Sequence, residues 1–125
     1  MLKTLLLVGF GGAIGSIFRY LTHWLTTKYF QSSFPLSTFL VNVIGSLLIG
    51  LFIGYIGKYF PENHPLKFLL IVGFCGGFTT FSSFALENYN LLQNNHQITA
   101  YLYMATSIIL TISAVGLGSY LSKYI

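Results

Sequence analysis

Two phenylalanines, Phe81 and Phe84, stand three residues apart in a segment that is otherwise rich in hydroxyls. Side chains at this spacing share one face of a helix. A phenyl ring is negative on its faces and positive at its edges, so edges turned towards a site attract an anion and faces attract a cation. Either ring can also be an ordinary packing residue. The ion site is favoured because four hydroxyl residues interleave with the pair: Thr79, Thr80, Ser82 and Ser83.

Polar residues recur every four positions in two other apolar stretches. In the first stretch, Thr38, Asn42 and Ser46 lie on one helix face, and we place Thr38 and Asn42 in a candidate pore. An amide inside a bilayer must find partners or line water, so Asn42 is either interhelical glue or a donor to a solute. The second series is a ladder of hydroxyls that could donate to an anion without binding it as deeply as a lysine would: Thr99, Tyr103, Ser107 and Thr111.

Charged residues are rare near these stretches. Arg19 is the one basic residue well inside an apolar run, and Glu87 is one of only two carboxylates in the chain. Charges within a membrane are usually functional, and three roles for Arg19 stay open. It could snorkel to an interface, pair with Glu87, or form a positive vestibule that concentrates anions. There is no nucleophile–base set, phosphate-binding loop or metal-ligand cluster, so the sequence predicts that the protein is not an enzyme.

The composition assigns this chemistry to a membrane. Of 125 residues, 54% are hydrophobic and only 6% are charged, whereas a soluble domain is about a quarter charged. Four apolar stretches with few charges are long enough to span a bilayer, which needs ~20 mostly apolar residues. They predict an all-α membrane protein with one four-span domain over residues 1–125, with spans near 3–28, 36–58, 66–91 and 98–122. The six Lys and Arg residues are scattered, so no nucleic-acid partner is predicted.

The third span is predicted to be a broken helix, because its middle combines adjacent glycines with residues whose hydroxyls bond the backbone locally. At membrane depth such a break must be buried in protein or line a watery cavity. Glycines four residues apart, such as Gly11 and Gly15, predict close helix packing within one chain or between chains. Four helices with so few polar residues barely enclose a path, so an oligomer is expected. The lysine bias across the membrane is small enough to make insertion in two orientations conceivable.

Three motifs resemble those of the CrcB/Fluc fluoride channels of bacteria. They are GGAIGSIFRY (Gly11–Tyr20), TFLVNVIG (Thr38–Gly45) and GFCGGFTTFSSFALE (Gly73–Glu87). The similarity covers the four spans in family order, and the third motif is long and specific. The resemblance implies a multi-pass protein of the bacterial inner membrane that lets cytoplasmic fluoride leak out passively. It also implies an antiparallel, dual-topology homodimer with two pores.

The same resemblance implies roles for individual residues. Phe81 and Phe84 would present their ring edges to fluoride, and Asn42 would be the amide donor of the pore. Arg19 would match the first-helix arginine of the family. The polar track of the fourth helix would consist of Tyr103, Ser107 and Thr111. A structural sodium ion at the dimer centre would be held by backbone carbonyls from both chains, those of Gly76 and Thr79.

Two other functions stay open from the residues alone. A small proton-coupled multidrug antiporter has a similar size and span count, but it needs a membrane-embedded carboxylate, and Glu87 lies beyond the predicted break. A non-conducting assembly subunit would use the glycines for packing. Such a subunit would not need Asn42 or the hydroxyl ladder.

Overall fold

The structure is a computed structural model that describes all residues, 1–125, and it is entirely helical. Helix α3 is wound as a π-helix over Lys67–Cys75 and as an α-helix over Gly76–Phe78. The other helices are α1 (Leu2–Tyr29), α2 (Leu36–Tyr59), α4 (Phe81–Gln93) and α5 (Gln97–Leu121), and a 3-10 turn (Ser122–Tyr124) follows α5.

Four stretches are long and apolar enough to cross a membrane. The third combines α3 and α4, and the fourth extends α5 by its final turn. These stretches confirm the prediction of an all-α membrane protein with four spans. Their bounds are Leu2–Tyr29, Leu36–Tyr59, Lys67–Gln93 and Gln97–Tyr124.

The helices pack as two tight pairs, α1 along α3 and α2 along α5, while α4 lies against α5. Glycines bring the backbones together in both pairs. A Cβ atom added to Gly15 would lie 2.8 Å from the amide nitrogen of Phe78, and one added to Gly50 would lie 2.9 Å from that of Ser119. Because no side chain fits there, these glycines serve packing within the chain.

The third apolar stretch contains two residues with extended backbone, Thr79 (φ −84°, ψ 158°) and Thr80 (φ −153°, ψ 123°). Helix α3 ends just before them and α4 begins just after. Gly76, by contrast, has helical φ and ψ of −62° and −36°. The interruption is therefore carried by the threonines, whose side chains can bond the backbone locally. Thr80 caps α4, because its Oγ1 accepts the Ser83 N–H at 3.2 Å.

Candidate functional site

Asn42 holds the extended segment between α3 and α4. Its Oδ1 accepts the Thr80 N–H at 2.8 Å, and its Nδ2 donates to the Thr80 carbonyl at 3.0 Å. The amide of one helix thus pairs with both backbone groups of a residue that has left helical geometry. One of the two hydrogens on Nδ2 is not used in this pair. Asn42 therefore holds the extended segment in place, and the second hydrogen on its Nδ2 remains available to a solute.

An open groove of about 250 Å³ lies beside this clamp, between α2, α4 and α5. It brings together six of the residues that the sequence singled out for a pore or an ion site. Its polar and aromatic lining consists of Asn42, Ser46, Thr79, Thr80, Phe81, Phe84, Ser107 and Thr111, and two isoleucines complete it, Ile49 and Ile108.

Ser107 supplies a buried hydroxyl to the groove. Its side chain is only 6% exposed, and its Oγ has no hydrogen-bond partner in the chain. One turn further along α5, Thr111 Oγ1 donates to the Ser107 carbonyl at 2.6 Å. The hydroxyls of the ladder therefore differ in their partners, since Thr111 donates its hydrogen to a carbonyl of its own helix. Buried polar groups are rarely left unpaired, so the Ser107 hydroxyl is available to donate to a ligand or a water.

The two phenylalanines of the groove have different surroundings. Their ring centroids are 5.5 Å apart, with 41° between the ring planes. Phe84 packs against Tyr103 at 5.0 Å and is half-buried, whereas Phe81 is 78% exposed. A ring this exposed, next to interrupted backbone, is available for contact with whatever covers the groove.

The structure joins Glu87 to two of the predicted pore residues. Thr38 Oγ1 donates to Glu87 Oε1 at 2.6 Å, and the Tyr103 hydroxyl donates to Oε2 at 2.8 Å. These three residues, from α2, α4 and α5, form what we call the Glu87 cluster. Tyr103 is fully buried and Thr38 is buried. Thr38 and Tyr103 therefore do not line the groove, and their hydrogens are already donated to a carboxyl group.

Glu87 also reaches a second cavity, of about 290 Å³, at the connector between α1 and α2. We call this cavity the vestibule. Its lining is mainly polar and includes His23, Thr26, Thr27, Gln31, Ser32 and Ser37. The Glu87 cluster therefore borders the vestibule on one side. On the other side it approaches the groove, because Ser107 lies one turn along α5 from Tyr103.

Arg19 does not pair with Glu87 within the chain. Its guanidinium Nη1 instead donates to the backbone carbonyl of Thr79 at 3.3 Å. The side chain is half-buried, and it is not among the residues that line the vestibule. Of the three roles left open by the sequence, the charge pair with Glu87 is the one that this geometry replaces.

The carbonyls implied for sodium, those of Gly76 and Thr79, both lack their regular helical donors. In a continuous α-helix they would accept the N–H groups of Thr80 and Ser83. Those N–H groups are diverted to Asn42 Oδ1 and to Thr80 Oγ1. Unwound carbonyls at the end of a half-helix are the ligands that Na⁺ uses in membrane proteins. The donor set therefore fits a hard monovalent cation, with Arg19 sharing one of the two oxygens.

Thr80 is the main residue that the sequence interpretation did not assign. It is buried, caps α4 and provides both backbone partners of Asn42. A threonine directly before the residue at which a helix begins is a recognisable N-cap signal and could have identified the cap. Nothing in the sequence pattern links Thr80 to Asn42.

Comparison with known proteins assigns the chain to a family. The family described as CrcB-like protein, Camphor Resistance (CrcB), matches residues 6–119. A protein of Flavobacterium psychrophilum named fluoride-specific ion channel FluC is 46% identical over 98% of both chains. Proteins of the same name are 44% identical in Azobacteroides pseudotrichonymphae, over 99% of both chains, and 47% identical in Gloeothece citriformis, over 95% of this chain and 96% of the relative. With its four apolar spans, this chain is a multi-pass protein of the cell membrane and a member of the CrcB family.

Proposed function

We propose that two copies of this chain form an antiparallel, dual-topology homodimer that conducts fluoride passively across the membrane. The exit of cytoplasmic fluoride would lower its toxicity. Relatives of nearly the same length, 44–47% identical to this chain, carry the name fluoride-specific ion channel. The proposal does not rest on the name alone, because the groove has the chemistry that a small dehydrated anion requires.

The observation that carries the proposal is the unpartnered hydroxyl of Ser107 in the groove. A hydrogen-bond donor that is buried and unpaired is costly, unless a solute takes the hydrogen. The same groove contains the rings of Phe81 and Phe84, whose edges carry partial positive charge. A hydroxyl and ring edges stabilise an anion without a fixed positive charge, which keeps binding weak enough for release.

The exposed side of the interruption supports a second copy. Phe81 is 78% exposed and Ser82 is exposed beside extended backbone in the middle of an apolar span. Irregular backbone at membrane depth is tolerated only when protein or a watery cavity covers it. A second chain laid against this side would cover it and would close the open groove into a pore.

The Glu87 cluster supplies an entry step to the same pore. Fluoride is strongly hydrated and needs new donors for each water it loses. Glu87 is the member of the cluster that lines the vestibule, so an ion entering there would reach Glu87 before the buried hydroxyls of Thr38 and Tyr103 that donate to it. Rotation of those hydroxyls towards the ion would pass it on to Ser107, one turn along α5.

A structural sodium ion would be held by the carbonyls of Gly76 and Thr79 from both copies. When bound, it supplies positive potential near both pores and is not itself transported. The chain contributes hard oxygen ligands because Asn42 and Thr80 divert the helical donors of these carbonyls.

The test is anion efflux from liposomes that contain the purified protein, recorded with a fluoride electrode and a matched chloride electrode. We expect rapid fluoride efflux with little chloride movement. Phe81→Ile should slow fluoride at least roughly tenfold, since it removes a ring edge worth about 1.4 kcal/mol in the transition state. Phe10→Ile, which changes an exposed ring on α1, is the matched control and should not change the rate.

The same recordings discriminate the other functions. A cationic flux that depends on a proton gradient would support the antiporter and contradict the channel. Absence of any flux from a folded protein would leave the assembly subunit. Equal fluoride rates in wild type and Phe81→Ile would remove Phe81 from the pore.

A further inference from the structure

The first-helix arginine lies against the backbone that the proposed sodium ion would use. Arg19 Nη1 is 3.3 Å from the Thr79 carbonyl oxygen, and the side chain is half-buried between α1 and the interruption. The one carboxylate within the spans, Glu87, has both oxygens engaged by Thr38 and Tyr103. The Thr79 carbonyl is therefore the acceptor that the structure gives to the Arg19 charge.

A cation is favoured at this point for a second reason. Helix α3 ends at Phe78, and the carboxyl end of a helix carries partial negative charge. The carbonyls of Gly76 and Thr79 have lost their helical N–H donors to Asn42 and Thr80. This end of α3 therefore attracts a positive charge whether or not a second chain is present, and Arg19 is the positive charge that the single chain offers.

We propose that Arg19 is a stand-in cation, which satisfies the Thr79 carbonyl in the single chain and competes with Na⁺ for it when two chains assemble. The inference rests on the proposed function, because it requires the homodimer and its sodium ion. Two positive charges a few Å apart repel each other, so binding of Na⁺ requires the guanidinium to withdraw. Arg19 thereby sets how much sodium is needed for assembly.

The hydrogen bond between Arg19 and the Thr79 carbonyl has a geometry that suits a contact that must break when Na⁺ binds. N–H···O hydrogen bonds in proteins are mostly about 2.7–3.2 Å long, and the Arg19 contact is longer at 3.3 Å. Arg19 makes no further hydrogen bond through its other donors within the chain. The guanidinium can leave the carbonyl by a small rotation of a long side chain, without disturbing the two bonds that hold Thr80 on Asn42.

The experiment measures dimer formation against sodium concentration. Two populations of the full chain, labelled at the C-terminus with donor or acceptor fluorophores, are mixed in detergent, and energy transfer reports the dimer. N-methyl-D-glucamine replaces sodium at constant ionic strength. Arg19→Met removes the charge and keeps an unbranched side chain. We expect the midpoint sodium concentration to fall roughly tenfold or more in this variant, because a competing charge at ~4 Å is removed.

Three further measurements make the test decisive. Lys28→Met, which removes a charge from the exposed end of the same helix, should leave the midpoint unchanged. Arg19→Lys keeps the charge and should stay within about threefold of wild type. If Arg19→Met does not fold by circular dichroism, Arg19→Gln, which keeps an N–H donor but no charge, should show the same fall in the midpoint.

A midpoint that is unchanged or raised in the neutral variants would overturn the proposal, as would wild-type dimers that form equally without sodium. Neither result would bear on anion conduction, which is measured separately by fluoride efflux. Conversely, a lowered midpoint sodium concentration in a protein that conducts no fluoride would support the role of Arg19 and contradict the proposed channel function.

Discussion

Two polar regions lie one helical turn apart on α5, and they differ in what receives their hydrogens. In the Glu87 cluster, the hydroxyls of Tyr103 and Thr38 both donate to one carboxyl group. In the groove, the buried hydroxyl of Ser107 has no acceptor. The first region closes on itself and stabilises the contact of α2, α4 and α5. The second leaves a hydrogen free for a solute, whereas the first must give up a hydrogen bond before it can donate to one.

The largest effect on stability is expected at the clamp that shapes the groove. Asn42→Ala removes both partners of the Thr80 backbone, so the free energy of unfolding should fall by roughly 2–4 kcal/mol and fluoride efflux should be lost. Denaturant titration in detergent, followed by circular dichroism, measures the first effect. Asn63→Ala, in the exposed connector after α2, is the control. An unchanged stability in Asn42→Ala would mean that the clamp does not hold the interruption.

The close contact between α1 and α3 gives the next effect. Gly15→Ala should destabilise the protein by roughly 3 kcal/mol, because its methyl group would meet the backbone of Phe74 and Phe78, which cannot move aside. Gly116→Ala on α5, where a methyl group meets nothing within 4 Å, should be neutral in the same titration. Equal effects of the two substitutions would show that the close approach of α1 to α3 is not what stabilises the pair.

A smaller loss is expected in the Glu87 cluster. Thr38→Val keeps the shape of the side chain but leaves one carboxyl oxygen of Glu87 without its donor, and should cost about 1–2 kcal/mol. Thr22→Val is the matched control, since the Thr22 hydroxyl bonds only the Phe18 carbonyl in its own helix. If Thr38→Val left stability unaltered, the cluster would be as incomplete as the groove, and the contrast between the two regions would disappear.

The sequence predicted the spans well because length and hydropathy decide them. It also selected Asn42, Phe81, Phe84, Ser107 and Thr111, which the structure brings to one groove. Spacings of three and four residues place side chains on one helix face, which grouped Phe81 with Phe84 and Ser107 with Thr111.

The sequence could not predict which hydrogen-bond partner on a neighbouring helix each polar side chain has. Spacing within α2 and α5 could not reveal that Thr38 and Tyr103 turn to Glu87 while Ser107 does not, since that depends on how three helices cross. The interruption was attributed in part to glycines, yet Gly76 is helical and the threonines that follow are extended. The acceptor of Arg19 was missed for a related reason, because a backbone carbonyl freed by an interruption leaves no trace in the residue types.

Ser107→Ala tests the central claim most directly, because it separates ligand binding from folding. A methyl group in place of an unpaired buried hydroxyl should change the free energy of unfolding by less than about 0.5 kcal/mol. The lost donor to an anion should slow fluoride efflux roughly tenfold. Ser113→Ala, on the exposed side of α5, should change neither quantity. Wild-type efflux in Ser107→Ala would contradict the assignment of this hydroxyl, and with it the groove, to the path of the anion.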